Sequence, residues 1–389
     1  MQTVKKKSAS LLALTAAAMA LPGISIDVQA SDKADKKVFR YQHASYSEND
    51  VSGLITSSEE ESPRYQISVN QFQLLSPVKD DYDLTVNYLT EEMSGASPMG
   101  TTIGRGNKAR LNMSGASIDE SRRDVSGSLR YFGKKDAVYT GSLGFSKEND
   151  YQAISLGVEG ERYRNNRLQT VSWGVGLSFD NLEPTQDEDY VRPISEDKMS
   201  FTGVVGFTQV INPKMQFQTG VSINHLSGYL SDPYKTLDQR PDSKTQFSWT
   251  NRLRHYFERW ESSLHLDYRL YMDDWSMMSH TVDLALFYPI AEGVQIVPSI
   301  RYYTQSQADF YVVFDDGAIV GDKSSDFRLS PYGAFTTGLK LVTRSGDWKT
   351  TISAEFYQSS EDYALGDVKL AHPGLMKYSL FSMAFEFSF

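Results

Sequence analysis

No cysteine, five tryptophans and no block of basic residues occur in 389 positions. The missing cysteine removes disulfides, thiolate metal sites and thiol nucleophiles. With 39 Lys+Arg against 49 Asp+Glu the net charge is −10, and without clustered cations the chain offers nothing to bind a phosphate backbone, so nucleic acid is excluded as a partner. Long apolar runs are missing too. A helical span needs about 20 consecutive apolar residues, and one segment alone approaches that.

That segment is N-terminal. Lys5, Lys6 and Lys7 precede an apolar stretch from Leu11 to Leu21, and Val28-Gln29-Ala30 supplies small residues for cleavage. It reads as a signal peptide over residues 1–30, removed on export, which leaves 31–389 as one domain.

What the chain does have is alternation. Tyr82, Leu84, Val86 and Tyr88 repeat every second residue, as do Val171, Trp173, Val175, Leu177 and Phe179, and Val282, Leu284, Leu286 and Tyr288. Between them stand Ser, Thr, Gln, Asn, Gly and charged residues. Period two predicts strands with one apolar face. About sixteen such strands can be counted. Tight turns near 77–79, 133–135, 164–166, 212–214, 258–259, 291–293 and 345–347 alternate with long polar loops near 47–64, 91–121, 180–197, 228–245, 308–325 and 358–375. Two connections on the long-loop side, near 146–150 and 272–278, are short.

An all-β fold follows: a closed antiparallel transmembrane β-barrel with short periplasmic turns and long extracellular loops. Closure matters because an open edge would leave unpaired backbone groups in hydrocarbon. Aromatic residues near strand ends, including Tyr82, Tyr88, Trp260, Tyr302 and Trp348, fit interfacial girdles. The chain ends with Phe385, Phe387 and Phe389 alternating. This resembles the terminal strand by which bacterial outer-membrane barrels are recognised for assembly, and implies the barrel-assembly machinery as a partner.

The densest stretch contains Gly228-Tyr229-Leu230-Ser231-Asp232-Pro233-Tyr234, Arg240-Pro241-Asp242, Asp267-Tyr268-Arg269-Leu270-Tyr271, Asp273-Asp274-Trp275, Ser279-His280-Thr281 and a run from Arg301 to Tyr311; Ser114 to Asp119 and Arg123-Asp124 lie upstream. With these motifs the chain resembles an uncharacterised family of proteobacterial outer-membrane barrels, porin-like, defined as a domain of unknown function. The resemblance covers nearly the whole mature chain. It implies an outer-membrane location and assigns no catalytic residue. Genes of such proteins often lie beside a periplasmic flavin transferase and a thioredoxin-like protein, which hints at periplasmic partners.

Read from the residues, Arg252, Arg254, His265, Asp267, Arg269, Tyr271, Asp283, Arg301 and Tyr303 fall on the polar phase. A lipid-facing Arg costs about 2–4 kcal/mol at the midplane, so this set is expected to line the lumen. It forms either a selectivity ladder or a self-neutralising network that stiffens the wall. Ser279 and His280 beside Asp273 and Asp274 suggest a hydrolase at the rim, but neighbours on a strand point to opposite faces and cannot be partners. The acidic loop 180–197 lacks regular Ca²⁺ ligand spacing and reads as solvated surface. The small-residue loop 91–121 is a candidate constriction. No cofactor and no enzymatic activity are expected. Passage of small polar solutes or ions is the first functional expectation; the alternative is a closed scaffold anchoring periplasmic redox or flavin-modified proteins. Oligomeric state is not legible.

Overall fold

The computed structural model describes residues 33–389, apart from 54–55, 57–62, 105, 107, 115–117, 135, 188–190, 236 and 316–319. The expected signal peptide therefore lies outside the described residues. Twenty strands follow one another: β1 (Val38–Glu48), β2 (Gln66–Lys79), β3 (Tyr82–Gly95), β4 (Pro98–Ile103), β5 (Ala109–Met113), β6 (Ile118–Gly133), β7 (Ala137–Lys147), β8 (Tyr151–Arg164), β9 (Gln169–Leu182), β10 (Glu196–Asn212), β11 (Met215–Gly228), β12 (Asp238–Gln239), β13 (Ser243–Phe257), β14 (Ser262–Asp273), β15 (Met278–Ala291), β16 (Val294–Gln305), β17 (Lys323–Ser324), β18 (Tyr332–Ser345), β19 (Trp348–Ser360) and β20 (Lys377–Ser388). Sixteen of them close into one antiparallel barrel, while β4 pairs with β5 and β12 with β17 outside it.

Closure is made by the two ends of the chain. β1 pairs with β20 from Val38 opposite Ser388 to Glu48 opposite Tyr378. Phe385 and Phe387 stand opposite Tyr41 and Phe39, and Phe387 stacks on Phe389 at 5.6 Å. The last strand thus satisfies the backbone groups that a free first strand would expose.

Alternation sorts each strand by face. Leu143, Phe145, Ile154, Leu156, Val175 and Leu177 are exposed on the outside, and their register partners carry on the same apolar band. At the loop end of β1–β3 the sign reverses. Ala44, Tyr46, Ile67, Val69 and Met93 pack inside the wall with Tyr65 and Leu380, while Ser45, Ser68 and Glu92, paired in register, face out. These strand ends bury their apolar side inward as a soluble sheet does, so this wall continues past the apolar band.

The connection between β3 and β6 departs from expectation. The segment 91–121 is not a long open loop: β3 runs to Gly95, β6 begins at Ile118, and β4 and β5 form a hairpin between them. Gly95 has φ +129, a conformation that L side chains rarely adopt, and a Cβ there would meet the backbone of Arg64 and Tyr65. Glycine lets β3 end against the neighbouring loop.

Candidate functional site: the lumen and the loops over its mouth

Register places every ladder residue inside the barrel. Arg252, Arg254, Asp267, Arg269 and Tyr271 share the inward phase of β13 and β14. Asp267 stands opposite Asp283, and Asp283 opposite Arg301, with Thr281 opposite Tyr303 one level nearer the loops. His265 lies toward the turn end with its ring 4.1 Å from Phe287.

The ladder is largely paired. Arg254 holds both carboxylate oxygens of Asp267, and Arg252 lies 3.7 Å from the same carboxylate. Arg301 Nε donates to Asp283 at 2.5 Å, and Arg40 bonds Glu386 across the closing seam at 2.6 Å. Arg269 differs. Its Nη2 donates to Ser248 at 3.1 Å, its guanidinium lies 5.8 Å from the Tyr271 ring centre, and no carboxylate pairs with it among the described residues.

The opposite wall carries a stretch of small residues between the Arg130–Glu161 and Lys198–Asp180 pairs. Ser128, Ser142, Gly157, Ser178, Gly176 and Thr202 face inward on β6–β10. Bulky charged and aromatic side chains on β13–β20 therefore look across an open space, and Arg269 and Arg301 are exposed to it.

The loops meet over one end. Asp326 is fully buried there: Arg240 Nη2 reaches it at 2.8 Å, Arg328 bonds it at close range, and Lys235 Nζ stands 4.0 Å away. Arg328 also holds Asp232 at 3.2 Å. Burial alone would raise the Asp326 carboxyl, but Arg328, Lys235 and Arg240 hold it well below the usual carboxylate range. Further bonds cross the mouth. Tyr234 joins Asp150, Lys235 donates to Pro98 O at 3.0 Å, and Thr101 N donates to Asp315 at 2.8 Å. His372 Nε2 meets Ser325 O at 2.8 Å while its Nδ1 accepts from Gly374 N at 2.8 Å. Arg64, paired with Glu48 at 2.5 Å, donates to Gly374 O at 3.2 Å. These bonds knit six connections into one layer, and beneath it Trp275, Met277, Ala308, Tyr311 and Leu329 form an apolar cluster touching Tyr271.

Sequence reasoning missed this layer. The motifs carrying Asp232, Arg240 and Asp326 were visible, but nothing in alternation says that their two loops converge. Asp180 corrects another expectation: it does not belong to a solvated acidic loop, but sits at the inward end of β9, buried and bonded to Lys198 at 3.0 Å. Ser279 and His280 do point to opposite faces. Ser279 shares the inward phase, His280 meets the outward Tyr268 hydroxyl at 2.9 Å, and Asp273 is occupied by Lys244, Tyr271 and the backbone of Trp275 and Met277.

No curated protein matches the sequence. Among solved structures, CdiB from Acinetobacter baumannii superposes with a TM-score of 0.52 at 8% identity, over 92% of this chain and 61% of that one. A bacterial polysaccharide outer membrane secretin gives 0.49 at 8%, covering 92% and 100%. The siderophore receptor PirA from Pseudomonas aeruginosa gives 0.46 at 10%, over 90% and 62%. The chain thus spans about three fifths of the length of two of these three. Such likeness speaks for the fold alone, an outer-membrane-type β-barrel. The sequence profile of one family, described as protein of unknown function DUF3570, matches residues 11–385, and the chain belongs to that family.

Proposed function

We propose that the protein is an outer-membrane channel for small polar solutes, porin-like in its lumen, open to the periplasm and held shut at the extracellular mouth by its own loops. The observation that carries this reading is the pairing of a lumen wall whose Arg252, Arg269 and Arg301 are exposed with a loop layer pinned at Asp326. A barrel of sixteen strands leaves a lumen wide enough for water, and charged rings at close quarters set selectivity. We assign the chain no enzymatic activity.

Planar-bilayer conductance of the refolded mature protein is the test. The native channel is expected to be mostly silent, and Asp326→Asn, which strands the cations of the loop layer, to give discrete open steps. A folded variant that stays silent would sink the reading. It would favour the second one, a closed scaffold holding periplasmic redox or flavin-modified proteins, which the Arg254–Asp267, Arg301–Asp283 and Arg40–Glu386 pairs support because they already neutralise much of the lumen.

A further inference from the structure

Between Tyr271 and Tyr303 the inward side of β15 carries only Ser279 and Thr281. Two large rings therefore stand on either side of β15, one level apart, with only small side chains between them. The Tyr303 hydroxyl donates to Gln305 at 2.5 Å and the Tyr271 hydroxyl to Asp273 at 2.6 Å. Each acceptor is two residues further along the same strand and on the same face, so each ring lies along the wall instead of standing into the lumen. Both rings remain partly exposed, although Arg269 lies against Tyr271 and Tyr332 beside Tyr303.

Arg269 stands in register with Thr281 and Tyr303, one level below Tyr271, and the Asp283–Arg301 pair lies one level further toward the turn end. Their chemistry is unequal. Asp283 and Arg301 are committed to each other yet partly exposed, with side-chain exposures of 35% and 50%, and they offer acceptor and donor atoms to hydroxyl groups. Arg269 is exposed to the lumen and, among the described residues, has only Ser248 as a hydrogen-bond acceptor. Most of its five donors are uncommitted, and a guanidinium binds a carboxylate in a two-point fork.

We infer that the patch formed by Tyr271, Arg269, Thr281 and Tyr303, above Asp283 and Arg301, is a binding subsite for a carboxylated sugar ring, a hexuronate. The C–H face of the pyranose lies on a tyrosine ring, its hydroxyls bond Thr281 and the Asp283–Arg301 pair, and its carboxylate takes Arg269. A convergent set of few polar groups beside flat aromatic surface is the usual make-up of a small-molecule site. The assignment deepens the channel reading by naming the solute class, and it rests on that reading for its biological use. Binding itself does not require conduction.

The test is calorimetric titration of the detergent-solubilised full mature protein with D-galacturonate, with D-galactose and benzoate as comparison probes. Galacturonate is expected to bind saturably, and galactose at least about tenfold more weakly, since the second lacks the carboxylate. Arg269→Gln and Tyr303→Ala should each weaken galacturonate about tenfold or more, while Tyr303→Phe, which keeps the ring, should retain most of the affinity. Retained heat-modifiable mobility on gels shows that each variant is folded. No saturable binding to the folded native protein, or equal binding by Arg269→Gln, overturns the assignment; so does benzoate binding in place of galacturonate. A protein that binds galacturonate but gives no conductance in any loop variant keeps this inference and loses the channel.

Discussion

Arg240 donates to the buried carboxylate of Asp326 at 2.8 Å across 86 residues of chain, tying the loop after β11 to the loop after β16. Both strand pairs could form without this bond, so its effect falls on the mouth and not on the barrel. Asp326→Asn leaves Arg240, Arg328 and Lys235 crowded without their shared anion, and breaking a buried pair in this way costs about 3–5 kcal/mol. The expected outcome is local: limited proteolysis cuts the 229–242 and 306–331 segments faster, while the barrel keeps its heat-modifiable mobility. A native cleavage pattern would show that the loops do not depend on this carboxylate.

The pH response should separate two parts of the loop side. Burial pushes His372 down to about 4, and both its ring nitrogens are already engaged as donor and acceptor. Its folded value lies below its ordinary 6.5, so its contribution is present above pH 6.5 and is lost as pH falls toward 4, by about 3 kcal/mol at most. Glu148, in the turn between β7 and β8, is pushed by burial up to about 8, with Arg122 partly opposing and Asp150, Glu91 and Glu120 reinforcing the rise. Its contribution is present below about pH 4.5 and is lost as pH rises through 8. Hydrogen exchange after correction for intrinsic rates should therefore quicken around Ser325 and Gly374 from pH 7 to 4, and around Glu148 from pH 6 to 9. Parallel responses at the two places would contradict the assignment.

How far the sequence could be read depended on whether a feature was periodic. Arg252, Arg269 and Arg301 could be placed inside from alternation alone, because an Arg on the outer face would be expelled from lipid; closure could be read from Phe385 to Phe389. The convergence of Asp232, Arg240 and Asp326 could not, since loops carry no period and these residues are 8, 86 and 94 positions apart in pairs. The inverted wall at Tyr46, Ile67 and Met93 was hidden for a related reason. Apolar residues there obey the same period two, and only their height above the band says which face they fill. Thr281 escaped notice because a small residue gains meaning only from the rings beside it.

Ion selectivity should follow the ladder once the mouth is loosened. In an Asp326→Asn background, Arg301→Ala leaves Asp283 without its 2.5 Å partner, and Arg269→Ala removes an exposed cation that pairs with no carboxylate among the described residues. Both changes make the lumen more negative. Reversal potentials in a salt gradient should move toward the cation side in each variant and further in the double variant. Unchanged potentials in all three would take the ladder out of the conduction path.

Phe389 separates assembly from stability. Its ring stacks on Phe387, which in turn stacks on Trp348 at 4.5 Å, yet Phe389 lies beyond the last residue of β20 and is itself exposed. Removing an exposed ring that makes one contact should change stability by little, within about 1 kcal/mol. If the terminal aromatic is what the assembly machinery reads, Phe389→Ala should sharply lower the amount of folded barrel in the outer membrane, while the purified variant refolds into lipid vesicles, where no machinery acts, as completely as the native chain. Equal loss in both settings would mean that the ring serves the seam between β1 and β20, and equal success in both would mean that recognition rests on Phe385 and Phe387 without it.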